Sequence, residues 1–186
     1  MTEFVAYPKL GRLARANMVI TEKIDGTNAC IVVEEGQIAL VQSRKRVIVP
    51  GTDNAGFAGW VYANAAIIAE ALGDGRHYGE WAGPAIQQNP LDMIEKRLFL
   101  FNTNQFPPER IEQIQETVPH ISAVPTLYKG AFSMETISET LRTLAENGSQ
   151  VPQKGLAARP EGVVVSVFGS KFKMTMDDRH KGEREV

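Results

Sequence analysis

A lysine followed by an acid and a glycine is the first group of residues in this sequence that could do chemistry. It lies in segment 22–28, which reads Glu-Lys-Ile-Asp-Gly-Thr-Asn and ends an apolar, β-branched run. The run predicts a strand at 18–24, and Asp25-Gly26 predicts a turn after it. Lys23 would then hold its amine at a strand end, where it could act as a nucleophile at a pocket mouth. A surface lysine before a hairpin turn is the alternative interpretation.

Two lysines near the end of the sequence could supply positive charge to the same chemistry. Lys171 and Lys173 are two residues apart in a predicted strand at 171–176, so both side chains would lie on one face. Phe172 and Met174 would then point into the core. Nearby cations lower the pKa of a lysine, and two ammonium groups could stabilise charge on a phosphate. An edge strand with solvated lysines has the same spacing.

Hydrophobic periodicity and turn signals divide the chain into short strands and a few helices. Helical spacing predicts helices at 57–72, at 107–117 and from about Ser133 to Gly148. The predicted strands are 18–24, 28–34, 37–42, 77–82, 97–102, 124–128, 161–167 and 171–176. Antiparallel strands with helices packed against them indicate an α+β fold.

The composition is typical of one soluble globular domain. The 186 residues are 43% hydrophobic and 23% charged, which allows a substantial core. No apolar stretch approaches the ~20 residues of a membrane helix, and no secretory signal opens the sequence, so we expect a cytosolic protein with no membrane partner. The net charge of -2 means that any nucleic-acid binding must come from a local basic patch. The single cysteine, Cys30, excludes an internal disulfide and a cysteine zinc cluster.

Six short elements occur in an order that resembles the covalent nucleotidyltransferase superfamily, which contains DNA ligases, RNA ligases and capping guanylyltransferases. The first is the Lys-x-Asp-Gly segment at Lys23. The others are Ser43-Arg44, Tyr78-Gly79-Glu80-Trp81, Leu98-Phe99-Leu100-Phe101-Asn102, Glu161-Gly162-Val163-Val164-Val165 and Ser170-Lys171-Phe172-Lys173. The resemblance covers roughly residues 18–176 and implies a ligase-type, ATP-grasp-like nucleotidyltransferase domain with antiparallel sheets and flanking helices.

One residue within the first element favours RNA ligases over the rest of the superfamily. DNA ligases and capping enzymes usually carry arginine at the fifth position after the lysine, whereas this sequence has Asn28. Segment 22–28 is similar to the group of RNA ligases that includes the second phage T4 enzyme. The resemblance implies an ATP-dependent RNA ligase that transfers AMP to a 5′-phosphate and seals RNA ends or a nicked duplex. A DNA ligase core, a GTP-using capping-type guanylyltransferase and a nucleotide-binding module without catalysis are the alternatives.

The resemblance also implies a role for each residue of the predicted site. Lys23 would attack the α-phosphate of ATP to give a lysyl-adenylate, Lys171 and Lys173 would stabilise the phosphates, and Asp25 would orient Lys23 or a metal-bound water. Mg²⁺ or Mn²⁺ would bind near Glu161, because phosphoryl transfer needs further charge neutralisation. The other nucleotide contacts would be Glu80 to the ribose, Phe101 or Phe99 stacked on adenine, Arg44 to a ribose or phosphate, and Glu22 and Asn28 to the adenine edge and a phosphate or ribose.

The domain is predicted to span 1–176, followed by a polar tail at 177–186. RNA ligases usually add a C-terminal domain and DNA ligases an OB-fold; too few residues follow Met176 for either, so we expect neither. A separate subunit could supply contacts to nucleic acid. Binding of RNA or DNA by this chain alone should be weak and salt-sensitive, with contacts at 44–46 and at the late lysines.

The loop between the last two strands is predicted from the faces that the site residues must share. If Glu161, Lys171 and Lys173 all face the nucleotide, Val167 has to pair with Lys171. A three-residue loop at 168–170 gives this register, because its glycine can adopt a positive φ at little cost. We therefore predict an odd-length loop, or a bulge with the same effect.

Overall fold

The computed structural model describes residues 3, 5, 6, 16–53 and 55–177, which form two β-sheets and four helices. The strands are β1 (Asn17–Lys23), β2 (Thr27–Glu34), β3 (Gln37–Ser43), β4 (Gly75–Ala82), β5 (Arg97–Leu100), β6 (Ile121–Ala123), β7 (Thr126–Ala131), β8 (Gly162–Val167) and β9 (Ser170–Thr175). The helices are α1 (Phe57–Ala63), α2 (Ala65–Leu72), α3 (Pro108–Thr117) and α4 (Met134–Asn147). This arrangement confirms the predicted α+β class.

The first sheet has the antiparallel order β7-β1-β8-β9 and is covered on one face by α4. Helix α4 begins after Ser133, whose hydroxyl accepts a hydrogen bond from the Thr136 amide at 3.2 Å. The apolar side chains at the interface are Met18, Ile20, Ile137, Leu141, Leu144, Val163, Val165 and Val167. Since strand residues alternate between faces, the opposite face of this sheet carries Val19, Thr21 and Lys23.

The second sheet has the order β3-β2-β4-β5-β6, and its main core lies under the first three helices. All its pairs are antiparallel except β5–β6, which are parallel and joined through α3. A third, smaller cluster fills the space between the sheets; its buried members are Ile24, Ala82, Leu91, Met93, Phe99, Val124 and Val151. The two sheets therefore face each other across a partly filled gap, and Lys23 lies on the gap side.

The turn after Lys23 is held close to β4 because Gly26 has no side chain. A Cβ atom at Gly26 would clash with the Trp81 carbonyl oxygen and would lie 3.0 Å from Cγ of Glu80. The Gly26 carbonyl also accepts a hydrogen bond from the Gln87 side-chain amide at 3.3 Å. The glycine of the first sequence element thus lets the strand that carries Lys23 approach the strand that carries Glu80.

We expect Gly26→Ala to destabilise the protein by about 2 kcal/mol or more, because the new methyl group meets backbone that cannot move independently. Gly59→Ala is the matched control, since a Cβ at Gly59 would have its nearest neighbour at 3.9 Å. Urea unfolding of both variants measures the effect. Equal stability of the two variants would contradict the steric role of Gly26.

Several predicted elements differ from the structure in their bounds. The helix predicted at 57–72 is two helices, because Asn64 leaves helical geometry with φ -121° and ψ 23° and its side-chain amide donates to the Trp60 carbonyl at 2.8 Å. The strand predicted near 124–128 corresponds to β7, which begins and ends a few residues later, and the short strand β6 was not predicted. Of the predicted polar tail, all but the first residue, Asp177, lies outside the described residues.

The predicted odd-length loop between β8 and β9 is wrong. Val167 pairs with Ser170 and Ser166 with Lys171, so the connection is the two-residue turn Phe168-Gly169 without a bulge. Phe168 and Gly169 have φ of 54° and 73°, as in the turn type that matches strand twist. The sequence argument failed because it assumed that Glu161 continues the side-chain alternation of β8, whereas the backbone at Gly162, with φ 154°, interrupts it.

Phe172 was also predicted wrongly as a core residue. Its side chain is 58% exposed on the edge strand β9, although Met174 packs against the α4 cluster as predicted. Alternation along β9 therefore holds, but the core ends before Phe172.

Cys30 is fully buried.

Candidate active site

A cavity of about 630 Å³ lies between the two sheets, on the side of β1 that carries Lys23. The side chains of β1, β8 and β9 that line it include Val19, Thr21, Lys23, Val164, Ser166 and Lys171. The side chains that line it from β4 and the residues after β5 include Arg76, Tyr78, Glu80, Phe101 and Phe106. This volume is in the range of small-molecule sites, so the cavity is large enough for a nucleotide.

Lys23 forms a short ion pair with Glu161 at this cavity. Its Nζ lies 2.6 Å from Oε2 of Glu161, and the two side chains are 23% and 29% exposed. Glu161 lies just before β8, where Gly162 has φ 154° and a Cβ would clash with the Met174 carbonyl. Val164 and Ser166 of β8 face the cavity, so regular alternation would point the Glu161 side chain away from it. The alternation is interrupted at Gly162, and the Glu161 carboxylate therefore reaches Lys23.

Glu80 is the most strongly perturbed acid near Lys23. Burial raises the pKa of its carboxyl from 4.5 to about 7; the charge of Lys23 opposes this rise, whereas those of Glu161 and Asp25 add to it. Arg44 is also close enough to lower the pKa of Glu80 slightly. Lys23, Glu80, Asp25, Glu161 and Arg44 therefore share one electrostatic environment. Perturbed acids in clefts are frequent at functional sites.

We expect the raised pKa of Glu80 to make stability depend on pH. Between pH about 4.5 and about 7 the folded state binds more protons at this group than the unfolded chain, so the free energy of unfolding falls as pH rises. Unfolding of the unmodified protein and of Glu80→Gln would be compared at pH 5 and pH 8. The glutamine variant should gain about 1–2 kcal/mol relative to the unmodified protein at the higher pH. A stability difference that is the same at both pH values would contradict this.

Phe101 and Phe99 were alternative stacking residues, and the structure separates them. Phe99 is fully buried in the cluster between the sheets, whereas Phe101 is partly buried and lines the cavity. The Nζ atom of Lys171 lies 5.6 Å from the centroid of the Phe101 ring. Of the two rings, Phe101 is therefore the one that a ligand in the cavity could contact.

The register of the first sheet puts the three predicted lysines on one face. Thr21 pairs with Val164 and Val164 with Lys173, while Ser166 pairs with both Val19 and Lys171. Lys171 and Lys173 are exposed, and neither forms an ion pair with any described residue. The predicted common face of Lys171 and Lys173 is confirmed, with a different loop from the one predicted.

Glu22 lies in the cavity wall, but its side chain is only 1% exposed. Its Oε2 accepts a hydrogen bond from the Gln150 amide at 2.7 Å, and its Oε1 has no partner among the described residues. Burial raises the pKa of Glu22, and a hydrogen bond from Ser149 opposes the rise. Gln150 and Ser149 thus tie the segment after α4 to β1 through the Glu22 carboxylate.

Asn28 and Asp25 flank Glu80 at the same end of the cavity. Asn28 pairs directly with Glu80 across β2 and β4, and both side chains are partly buried. Arg44 is exposed just beyond the end of β3. Five of the ten predicted site residues line the cavity, namely Glu22, Lys23, Glu80, Phe101 and Lys171. The others lie near Lys23 or Glu80, except Lys173, which shares the sheet face of Lys171.

Carboxylates near Lys23 could hold a divalent metal ion, although no group of three or more metal ligands is preassembled among the described residues. Mg²⁺ is usually bound by one or two carboxylates together with waters and substrate phosphates, so a preassembled cage is not needed. The partly exposed Glu161, with Glu80 and Asp25 close by, is compatible with such a site.

Sequence reasoning missed several cavity residues. Arg76 was not singled out, and Tyr78 was noted only as part of a sequence element; both side chains are exposed and line the cavity.

A larger groove of about 1250 Å³ lies between α3 and α4, but it contains none of the predicted site residues. No described helix is long and apolar enough to cross a membrane.

One family model and several solved structures are similar to this chain. Residues 16–181 match one family model, described as RNA ligase. No curated protein matches the chain. A ligand-free mutant of Naegleria gruberi RNA ligase has a similar structure, with a TM-score of 0.61 and 18% identity over 94% of this chain and 53% of that chain. A second mutant, solved with ATP and Mn, gives a TM-score of 0.63 and 16% identity over 93% and 53%.

A third mutant of the same enzyme, solved with AMP and Mn, gives a TM-score of 0.62 and 16% identity over 91% of this chain and 52% of that chain. The chain thus spans about half the length of these structural neighbours. At this level of identity the similarity shows a common fold.

Proposed function

This chain belongs to the RNA ligase family, and we propose on that basis that it is an ATP-dependent RNA ligase domain that works through a covalent lysyl-AMP. The observation that carries the proposal is the position of the Lys23 amine, 2.6 Å from Glu161 at a nucleotide-sized cavity that Glu80, Phe101 and Lys171 also line. An amine nucleophile, acidic neighbours, an aromatic ring and a further cation are the groups that self-adenylylation requires.

Adenine binds against the Phe101 ring in this proposal. Val164 and Thr21 line the cavity from the facing sheet, so a planar base can be enclosed between apolar surfaces. Ionised Glu80 accepts hydrogen bonds from the ribose hydroxyls, and its neighbour Asn28 contacts the ribose or a phosphate. Glu22 remains the proposed contact to the adenine edge, through the carboxylate oxygen that has no protein partner.

The Nζ atom of Lys23 attacks the α-phosphorus of ATP. A new N–P bond forms, the bond from the α-phosphorus to the bridging oxygen breaks, and pyrophosphate leaves with the electron pair. The ammonium must first lose a proton to solvent, and the Glu161 carboxylate, 2.6 Å from Nζ, positions the amine. Asp25 helps to orient Lys23 or a metal-bound water. Lys171, Lys173 and Arg44 stabilise the charge on the phosphates.

A divalent cation, Mg²⁺ or Mn²⁺, is part of the proposal, with Glu161 as its protein ligand. Structures of Naegleria gruberi RNA ligase mutants hold Mn together with ATP or AMP, which supports this choice. When bound, the cation would neutralise phosphate charge and disfavour the ammonium form of a neighbouring lysine.

The second half of the reaction concerns RNA ends or a nicked duplex. The AMP is transferred from Lys23 to a 5′-phosphate, and a 3′-hydroxyl then displaces it to seal the strand. Because the chain spans about half the length of its structural neighbours, we propose that a separate subunit or segment contributes contacts to the nucleic acid.

Incubation with labelled ATP or GTP and Mg²⁺, followed by a denaturing gel, tests the proposal. We expect a covalent adduct from ATP at a rate at least about tenfold above that from GTP, because the pattern around Glu22 and Asn28 resembles that of ATP-using ligases. Equal or faster labelling from GTP would favour the guanylyltransferase alternative. No adduct from either nucleotide would favour a non-catalytic module.

Nicked substrates separate the RNA ligase from the DNA ligase alternative. The adenylylated protein would be given a nicked duplex made of DNA alone and a matched duplex with RNA at the nick. Faster AMP transfer to the RNA-containing nick is expected. A preference for the all-DNA nick would identify a DNA ligase core.

A further inference from the structure

One face of β4 carries three polar or aromatic side chains in a row that leads out of the active-site cavity. Arg76, Tyr78 and Glu80 alternate with buried residues, so they share the face that lines the cavity. Glu80 lies at the Lys23 end. Arg76 is four residues away, which is ~13 Å along a strand, too far to contact the same ribose.

Tyr78 presents an aromatic ring to solvent in the middle of a sheet. Its side chain is 46% exposed, although β4 lies between β2 and β5 in the sheet. Across β2 it pairs with Cys30, a small and fully buried residue, and Cys30 in turn pairs with Gln42 on β3. Phe101 follows on the other side, since its amide donates to the Tyr78 carbonyl at 2.9 Å. In the register of the sheet, Tyr78 therefore lies between the proposed adenine-stacking residue and the Cys30–Gln42 pair.

Arg76 provides a positive charge that the described protein does not neutralise. Its guanidinium donates a hydrogen bond to the side-chain oxygen of Gln42 at 3.1 Å, and no described carboxylate lies within ion-pair distance of it. A guanidinium held by a neutral amide is oriented but still free to bind a phosphate. Together, Gln42, Arg76 and Tyr78 form what we call the β4 strip.

We propose that the β4 strip binds one unpaired nucleotide of the RNA strand next to the reacting end, with its base stacked on Tyr78 and its phosphate bound by Arg76. This inference rests on the proposed function, since it supplies the RNA contact that the ligase reaction needs. An exposed aromatic ring beside an unpaired cation is the usual means of binding single-stranded nucleic acid. The strip continues directly into the cavity that holds Lys23, so a strand bound there has its end near the adenylate.

Binding at the β4 strip should depend little on base identity. Every base has a face that can stack on a ring, and the proposed contacts, a ring at Tyr78 and a phosphate contact at Arg76, do not read a base edge. We expect RNA oligonucleotides of different sequence to bind this chain with similar affinity, provided that they are single-stranded.

The test is fluorescence anisotropy with a labelled, 5′-monophosphorylated single-stranded RNA, measured without ATP at two salt concentrations. Tyr78→Ala should weaken binding about tenfold, whereas Tyr78→Phe should keep affinity within about twofold because the ring remains. Arg76→Ala should weaken binding at low salt. It should also reduce the slope of log affinity against log salt concentration by roughly the amount expected for one phosphate contact. Tyr62→Ala and Arg142→Ala are matched controls, because both are exposed residues on helices away from the cavity.

The lysyl-AMP reaction is run on the same variants, and the loss of RNA affinity should exceed any loss of adduct. Failure of this inference and failure of the proposed function can be told apart, because RNA binding is measured without ATP. An absence of adduct from the unmodified chain therefore bears on the proposed function alone. RNA binding that is unmeasurable in the unmodified chain, or equal in Tyr78→Ala, Arg76→Ala and the controls, would overturn the proposal. It would also be overturned if adduct formation fell as much as RNA binding, since the strip would then serve ATP.

Discussion

Replacing Lys23 with alanine is expected to reduce the covalent AMP adduct by at least about a thousandfold, to the background of the assay. No other described lysine combines a contact to Glu161 with a position at the Glu80 end of the cavity. The fold should persist, because a partly exposed ion pair such as Lys23–Glu161 contributes about 1 kcal/mol or less. Labelling with ATP and Mg²⁺ on a denaturing gel measures the loss.

Lys96→Ala is the control for the Lys23 variant. Lys96 donates a hydrogen bond to the Ala55 carbonyl at 2.9 Å, and it lines neither the cavity that holds Lys23 nor the larger groove. Its removal should leave labelling within about twofold, because it has no proposed role in the chemistry. A labelled Lys23→Ala protein with an unchanged yield would show that another residue is the nucleophile.

Lys171→Ala is expected to slow adduct formation about a hundredfold while leaving the nucleophile in place. Its ammonium lies over the Phe101 ring, on the same sheet face as Lys23, where it can approach the α-phosphate or the leaving pyrophosphate. Removing one such electrostatic group typically costs 10²–10³ in rate. Lys171→Arg keeps the charge and should recover part of the loss. Single-turnover labelling at saturating ATP measures the rate of the chemical step.

Lys173→Ala provides the comparison within the same strand. Lys173 shares the face of Lys171 but is exposed, and it has no ring contact like that of Lys171 with Phe101. A smaller effect is therefore expected from Lys173→Ala than from Lys171→Ala. If both variants react at the unmodified rate, the lysine pair has no part in the transition state, and the proposed charge stabilisation is wrong.

The sequence predicted much of the fold and of the site because local signals and tertiary structure agree there. Alternating β-branched residues predicted β1 and β2, and Ser133 and Gly148 marked the ends of α4. The glycine after Asp25 indicated a turn, and the structure explains it by the close approach of β4. Five of the six ordered elements contribute residues to one cavity, and Arg44 of the sixth lies close enough to affect Glu80.

The features that sequence reasoning missed depend on pairing and burial between distant segments. The position of Glu161 depends on an irregular backbone at Gly162, whose cause is the approach of Met174. The enclosure of Glu22 depends on the Gln150 amide, which is 128 residues away in the chain. Local patterns carry no information on such contacts.

The β4 strip was missed for a related reason. Arg76 and Tyr78 occur in an ordinary strand pattern, and their exposure depends on how β2, β3 and β5 pack beside them. A tyrosine in a strand most often packs in a core. The structure shows instead that Tyr78 is 46% exposed at the cavity, with the small Cys30 paired beside it.

Peptide mapping of the ATP-treated protein by mass spectrometry tests the central claim most directly. The unmodified chain would be incubated with ATP and Mg²⁺, digested at neutral pH or above to preserve an acid-labile N–P bond, and searched for a gain of one adenylyl group. The account predicts one modified residue, Lys23, in the peptide that contains the 22–28 segment, and loss of the modification when pyrophosphate is added back. An adenylyl group found on Lys171, Lys173 or any other residue, with Lys23 unmodified, would contradict it.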